Sequence, residues 1–408
     1  MSPIVFHLLF VFSVLLVIPS YSLLQENLTP ASSEQLKIFI VWKGTCEEGT
    51  DFPKTLCNRK LIGARAFYKG LEDHLKHRVD QNGTETRSPS DTNGHGTHCA
   101  GTAAGSSVNK AGSHDYAVGE AKGMAGRARI ASYKIYWGEL GGDLSDLLAA
   151  GNQAVEDGVD VMSMSVADGG NKELRDAFAQ LTFGLMQQGI FVSMSGGNEG
   201  PGPKTCENLT PWIMTVGAST MDRELRADLV LGDGQVIPGT SPFLDNAEMN
   251  DSYSEIIYGD NSDSQSCLEG SLSSGEVSGK IVVCDCTDSD KAGYQVIEVE
   301  SAGGVGMIVI CNKPAKQLRT SDVFPSVPAV EVSDTHRSKI LDYIKRNRVK
   351  VEKPTATINL LGTVIGSSLF PAPKVAEFSS RGPNKITPEI LKPDIIAPGV
   401  NILAAKAG

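Results

Sequence analysis

From Ala128 to Val216 the chain alternates strand-like and helix-like text, and that alternation restricts the fold to one class. Ala128 to Tyr136 is a β-rich run. Leu144 to Asp157 places Leu144, Leu147, Leu148, Val155 and several alanines on one side at helical spacing, and Gly158 ends it. Val159 to Val166 reads as a buried strand. A second helix, Glu173 to Gln188, leads through Gly189 to the strand Ile190 to Met194, and Trp212 to Val216 adds a further apolar strand. Apolar strands separated by amphipathic helices predict an α/β fold, a parallel sheet covered by helices on both faces. Such sheets carry their sites at the carboxyl ends of the strands.

After Arg223 the texture changes. Leu231-Gly232-Asp233-Gly234 reads as a hairpin turn, and the stretch to about residue 275 is polar and rich in Ser and Asp. Lys280 to Cys284 and Gly306 to Ile310 are compact β runs, joined by a helix around Tyr294 to Ser301. The alternating α/β texture resumes near Phe378. A chain of 408 residues with 40% hydrophobic content is long enough for a large domain with an insertion. Its net charge of −11 argues against nucleic acid or an anionic membrane as a partner.

Residues 1–22 read as a secretory leader. Ile4 to Ile18 is apolar but short for a membrane span, and Pro19-Ser20-Tyr21-Ser22 supplies small residues for cleavage. The product is expected to be secreted and extracellular, in the cell wall or apoplast if the source is a plant, with no membrane association after cleavage. Export makes the eight cysteines candidates for disulfides. Cys46 with Cys57 and Cys267 with Cys284 bracket short loops and look pairable. Cys99 lies among small residues and reads as a buried thiol, while Cys206, Cys286 and Cys311 stay open. Asn27, Asn82, Asn208 and Asn250 are glycosylation sequons, Asn208 being the weakest because Pro211 follows its Thr.

Several ordered motifs carry a family resemblance. Trp42-Lys43-Gly44-Thr45-Cys46 with Cys57-Asn58-Arg59-Lys60-Leu61-Ile62-Gly63-Ala64-Arg65 comes first. Gly94-His95-Gly96-Thr97-His98-Cys99-Ala100-Gly101, Asp157-Gly158-Val159-Asp160-Val161 and Ser195-Gly196-Gly197-Asn198-Glu199-Gly200-Pro201 follow. Pro211-Trp212-Ile213, Phe378-Ser379-Ser380-Arg381-Gly382-Pro383 and Ile390-Leu391-Lys392-Pro393-Asp394-Ile395 complete the series. Together they resemble plant-type subtilisin-like serine proteases over nearly all of 42–408. Val277 to Cys284 and Ala302 to Ile308 resemble a protease-associated domain, a module inserted within the catalytic domain of that family. The resemblance implies a leader at 1–22, a propeptide remnant at 23–41, and a first catalytic part at 42–225. It further implies an inserted protease-associated domain with linkers at 226–363 and a catalytic continuation at 364–408.

On this resemblance His95 is the general base. An imidazole takes a hydroxyl proton near neutral pH and returns it to the leaving amine. His98, one turn on, reads as structural. Asn198 is similar to the side-chain donor of an oxyanion hole, a role whose loss in subtilisin costs about 10² to 10³ in rate. Substrate is expected between two edges, one formed by Ser163, Met164, Ser165, Val166 and Gly169, the other by Ser195, Gly196 and Gly197. The family usually reads Ser-Leu-Ser-Leu-Gly-Gly at the first edge. Met164, Val166 and Ala167-Asp168 depart from that pattern.

Two members of a catalytic triad are not found. The family's Asp ends an apolar strand in Asp-(Thr/Ser)-Gly, and none of Asp51, Asp73, Asp80 or Asp91 follows a strand with a Gly two positions on. Ile38-Phe39-Ile40-Val41, similar to a first propeptide strand, runs directly into Trp42, so the propeptide body and the Asp segment are expected to be missing at that junction. The nucleophile belongs after a segment like Pro398 to Ala405, and Gly239-Thr240-Ser241 is a look-alike in polar inter-domain text. The expectation is a secreted serine endopeptidase by family, acting on peptide or protein substrates, and inactive as this chain stands. The alternatives are a non-catalytic peptide-binding pseudoprotease and a truncated product. No metal or organic cofactor is indicated, and without the Asp strand the sheet is expected to show an open edge.

Overall fold

The computed structural model describes residues 13–18, 42–81, 83–113, 116–167, 169–241, 252–285, 292–311, 327–349, 352–366, 372–405 and 407. The chain divides into two compact units. One comprises residues 1–109, 120–219 and 378–408, the other residues 110–119 and 220–377.

The first unit is built on a seven-stranded sheet. Its strands are β1 (Ser13–Ile18), β2 (Leu61–Ala66), β3 (Arg129–Lys134), β4 (Val161–Met164), β5 (Phe191–Ser195), β6 (Met214–Ser219) and β7 (Ile395–Pro398). Their order across the sheet is β7-β6-β5-β4-β1-β3-β2. The pairs β2/β3, β4/β5, β5/β6 and β6/β7 are parallel, as the alternation of strand and helix requires. Strand β1 is the exception, running antiparallel to both β3 and β4. The expected open edge is therefore not observed, because the position between β3 and β4 holds six residues of the segment read as a leader.

Helices α1 (Lys69–Leu75), α2 (His95–Ala104), α3 (Leu144–Asp157) and α4 (Lys172–Gln187) cover the sheet. The Asp143 side chain accepts from the N–H of Ser145 at the start of α3, and Gly158 ends it at φ 84°. Leu147, Ala150 and Ala154 of α3 join Phe178, Leu181 and Leu185 of α4 over Met162, Met164, Val192 and Met194. Each fully buried side chain of that size is worth about 1.5–3 kcal/mol against exposure. Helix α2 lies along β1 and β3. A Cβ added at Gly101 would stand 3.0 Å from the backbone nitrogen of Ala405, so a larger residue there would push the passing chain back by a few tenths of an ångström.

The second unit contains a closed barrel. In order around it run Arg223–Leu231, Val236–Thr240, Ala329–Ser333, Gly306–Cys311, Ile281–Asp285, Ser254–Tyr258 and Thr355–Ile365. The strands from Ser254 to Ser333 pair in parallel, and the remaining pairs are antiparallel. The interior is filled by Leu229, Ile237, Ile256, Val283, Ile308 and Val330 among others. Val296 and Val299 of the helix Ala292–Ser301 pack on the outer face with Met307 and Val309. This unit reaches beyond the expected 226–363 on both sides.

Both expected disulfides, Cys46–Cys57 and Cys267–Cys284, are formed. Cys311 is also disulfide-bonded, while Cys99 and Cys206 are free thiols. Cys286 lies outside the described residues.

Candidate active site

The loop before α2 is organised by one carboxylate. Asp91 Oδ1 accepts the N–H groups of Asn93 at 3.0 Å and Gly94 at 2.8 Å, and Oδ2 accepts Thr97 N–H at 2.8 Å and Thr97 Oγ1 at 2.7 Å. Burial pushes this carboxyl upward, but the hydrogen bonds from Gly94 and Thr97 outweigh it and hold the group below the ordinary Asp value. Gly94 takes φ 96°, a left-handed turn open to glycine, and His95 becomes the first residue of the helix. Sequence patterning places Asp91 in the approach to the His motif, yet gives no hint that it binds the first turn of the helix carrying His95.

One turn on, Cys99 Sγ lies 3.6 Å from His95 Nε2 and donates to Ser165 Oγ at 3.4 Å. Desolvation raises the Cys99 thiol above its ordinary value, so it bonds as a neutral donor and is not a thiolate nucleophile. Through this contact the His95 imidazole sits beside the exit of β4, at the carboxyl end of a parallel strand. His98 turns away and its Nε2 bonds the Ile402 carbonyl at 2.9 Å, in keeping with a structural role.

The first expected edge divides by face. Ser163 and Ser165 are partly exposed, whereas Met164 and Val166 are buried at 1% and 2% in the core. The side chains of Met164 and Val166 therefore do not line a substrate surface, a correction that follows from the two-residue period of a strand. Gly169 lies in an exposed turn at φ 56°, and Asp168 lies outside the described residues.

On the second edge Ser195 Oγ donates to the Val166 carbonyl at 3.1 Å. Gly196 is buried, its N–H donating to Val216 O at 2.8 Å, and Gly197 turns at φ 94° with its carbonyl accepting Ser380 N–H at 3.1 Å. Glu199 N–H donates to Ser380 Oγ at 2.9 Å. The loop is thus fixed on both sides of Asn198, whose half-exposed carboxamide bonds to none of the described residues. A held loop presenting a free amide is what an oxyanion donor requires.

Two other expectations change. Asn208 is 5% exposed, and its Nδ2 donates to Val166 O at 2.6 Å and Ser195 O at 2.8 Å. That nitrogen is a buried strut and not a glycan attachment point. Ser241 of the look-alike Gly239-Thr240-Ser241 is 1% exposed, with its N–H bound to Leu225 O at 2.9 Å in the barrel unit, so it is no nucleophile. The sequons at Asn27, Asn82 and Asn250 lie outside the described residues. Sequence reading also missed the buried pair Lys134–Glu85 at 2.9 Å, in which Lys134 Nζ further donates to Ser90 O at 2.8 Å and stands 4.1 Å from the Trp137 ring centre. Thr92 Oγ1 donates to Glu85 Oε1 at 2.7 Å, which ties the approach to Asp91 onto β3.

Comparison with known proteins identifies the family. The model of the subtilase family, peptidase S8, matches residues 23–408. The Subtilisin-like protease SBT1.4 of Arabidopsis thaliana is 50% identical over 374 residues, covering 90% of this chain and 46% of its own length. The Subtilisin-like protease SBT1.7 of the same plant is 45% identical over 372 residues, covering 90% and 47%. The chain spans about half the length of the curated relatives it matches. Among solved structures, the psychrophilic subtilisin-like protease Apa1 of Pseudoalteromonas sp. AS-11 aligns over 79% of this chain and 82% of its own. Its identity is 18% and its TM-score 0.32, a likeness that carries no weight by itself.

Proposed function

The chain belongs to the subtilase family, and on that footing we propose that it is the part of a secreted subtilisin-like serine endopeptidase that carries the general base His95 and the oxyanion donor Asn198. The observation that carries this is the placement of His95 as the first residue of α2, joined through Cys99 to Ser165 at the exit of β4. Peptide or protein would lie along the backbone of the two edges, with the partly exposed Ser163, Ser165, Ser195 and Gly197 as contacts. His95 would take the proton of an attacking hydroxyl, and the Asn198 amide would bond the oxygen that becomes negative.

The position between β3 and β4 is where a triad Asp fits. A parallel strand there would end at the level of Lys134 and Met164, beside α2. Antiparallel β1 instead brings its first residues there, Ser13 opposite Lys134 and Val14 opposite Met164. We take residues 1–22 to be a leader removed on export, so that another extended segment holds this position in a working enzyme. Extracellular location is supported by similarity to the CO(2)-response secreted protease of Arabidopsis thaliana. Among the described residues no helix is long and apolar enough to cross a membrane. The barrel unit is read as a protease-associated domain, and Asn27, Asn82 and Asn250 as glycan sites.

Loss of the nucleophile in subtilisin costs about 2 × 10⁶ in kcat. The 408-residue chain is therefore expected not to react with a fluorophosphonate probe. Stoichiometric labelling of any serine in it would overturn the inactive reading. A second reading, a peptide-binding pseudoprotease, is favoured by the two ordered edges. It requires unlabelled protein that still binds peptide.

A further inference from the structure

One side chain that the mechanism does not use bonds to both edges of the cleft. Asn208 Nδ2 donates both of its protons, one to the Val166 carbonyl at 2.6 Å and one to the Ser195 carbonyl at 2.8 Å. Strands β4 and β5 are neighbours, with Met164 opposite Met194. The two carbonyls therefore close adjacent strand ends, Val166 two residues past the register pair and Ser195 one. Ser195 Oγ also donates to Val166 O at 3.1 Å, so the fork gathers both ends onto one nitrogen.

The backbone of Asn208 is tied in turn. Its carbonyl accepts Thr215 Oγ1 at 2.5 Å, and Thr215 N–H donates to Asp394 Oδ2 at 2.7 Å. The preceding residue, Glu207, donates its N–H to Gly196 O at 2.9 Å. The loop presenting Asn198 is thus held at Ser195 and Gly196 by consecutive residues, Asn208 and Glu207. Asn208 sits at φ 54°, a left-handed conformation that asparagine tolerates better than most residues.

Few side chains fit this place. Two donors on one short, neutral stem are needed, and asparagine supplies them. Aspartate has the same shape but, when ionised, sets a negative charge against two carbonyl oxygens. Alanine leaves both carbonyls without this partner, that of Val166 in a buried setting.

We propose that Asn208 is a positioning residue of the substrate cleft, its amide setting the separation of the β4 and β5 edges and hence the place of the Asn198 loop. The relation of this clamp to substrate rests on the endopeptidase reading above. The clamp itself does not, and is tested without activity. The same nitrogen lies in the sequon Asn208-Leu209-Thr210, so a glycan and the closed clamp exclude each other.

The test is amide hydrogen exchange on the full chain and on Asn208→Asp and Asn208→Ala, each normalised to wild type at the same pH. Both variants should exchange roughly tenfold or more faster at 165–167 and 195–198 at pH 7.5, with 281–285 and 306–311 of the barrel unchanged. As pH falls below about 5, Asn208→Asp should recover part of its protection, because a protonated carboxyl regains one donor. Asn208→Ala should not recover. Exchange unchanged in both variants, or equal pH behaviour of the two, overturns the proposal. Should the variants fail to fold, wild-type protein secreted from a glycosylating host decides. Its folded fraction is expected to carry no glycan on Asn208, and a folded, glycosylated fraction overturns the clamp. Failure of the wild type to bind a fluorescein-labelled hexapeptide pool would count against the endopeptidase reading and leave the exchange result to stand.

Discussion

The barrel and the sheet reach their cores by different routes. Residues 223–365 supply the seven described strands of the barrel, and closure leaves each strand paired on both sides. The sheet gathers its strands from residues 13–18, 61–66, 129–219 and 395–398, and its central position depends on a segment far away in sequence. The first case draws its strands from one continuous stretch of chain. In the second, stability depends on distant pieces staying together, and the candidate site stands on those pieces.

The largest expected effect follows from β1. Removing residues 1–22 takes away the strand paired with both β3 and β4, leaving two rows of backbone groups exposed. Amide exchange at 129–134 and 161–164 should rise towards unprotected rates, while 281–285 and 306–311 keep their protection. Equal protection of the sheet with and without residues 1–22 would break the contrast between the two units. N-terminal sequencing of the secreted product identifies which form exists outside the cell.

Much of the frame was legible in the sequence. The helix Leu144–Asp157 is found at its expected bounds because Asp143 and Gly158 mark its ends chemically. Apolar runs found four strands of the sheet and two of the barrel, and loop brackets found the two expected disulfides. The rest was hidden for physical reasons. In Ser163-Met164-Ser165-Val166 the alternation is plain, but a sheet covered on both faces gives no sign of which side meets solvent. The run Ser13–Ile18 has a composition that suits a leader and a strand equally. Asn208 reads as a sequon because the carbonyls it binds lie 42 and 13 residues away. The strand Thr355–Ile365 and the hairpin of Val108–Ser113 with Tyr116–Ala121 carry no apolar run that announces them.

A smaller but sharper test separates the units by chemistry. Lys134 and Glu85 are buried at side-chain exposures of 6% and 4%. Glu85→Ala leaves the ammonium with Ser90 O and the Trp137 ring, and breaking such a pair from one side costs about 3–5 kcal/mol. The loop leading to Asp91 also loses its anchor through Thr92. The sheet unit should melt earlier while the Cys267–Cys284 barrel holds. Calorimetry showing one joint transition, shifted as a whole, would mean that the two units unfold together and that locality in the barrel is not energetic.

The smallest effect concerns Asp91 and pH. Its folded carboxyl lies below the ordinary value because Gly94 and Thr97 donate to the ionised form more strongly than burial opposes it. A group depressed in the fold adds stability that is complete above its unfolded value of about 3.9, and that stability is lost as pH falls through the lower folded value. The contribution resembles that of a helix cap, about 1 kcal/mol. Asp91→Ala should lower stability by that amount at pH 7, and the wild-type and variant curves should draw together as pH falls through the lowered carboxyl value. The change should appear as faster exchange at 95–98, the first turn of α2, and not in the barrel. A variant curve running parallel to wild type through the whole acid range, to where the folded protein is lost, would show that Asp91 acts through packing alone. Convergence would place the His95 helix under control of one carboxylate that the chemistry itself never touches.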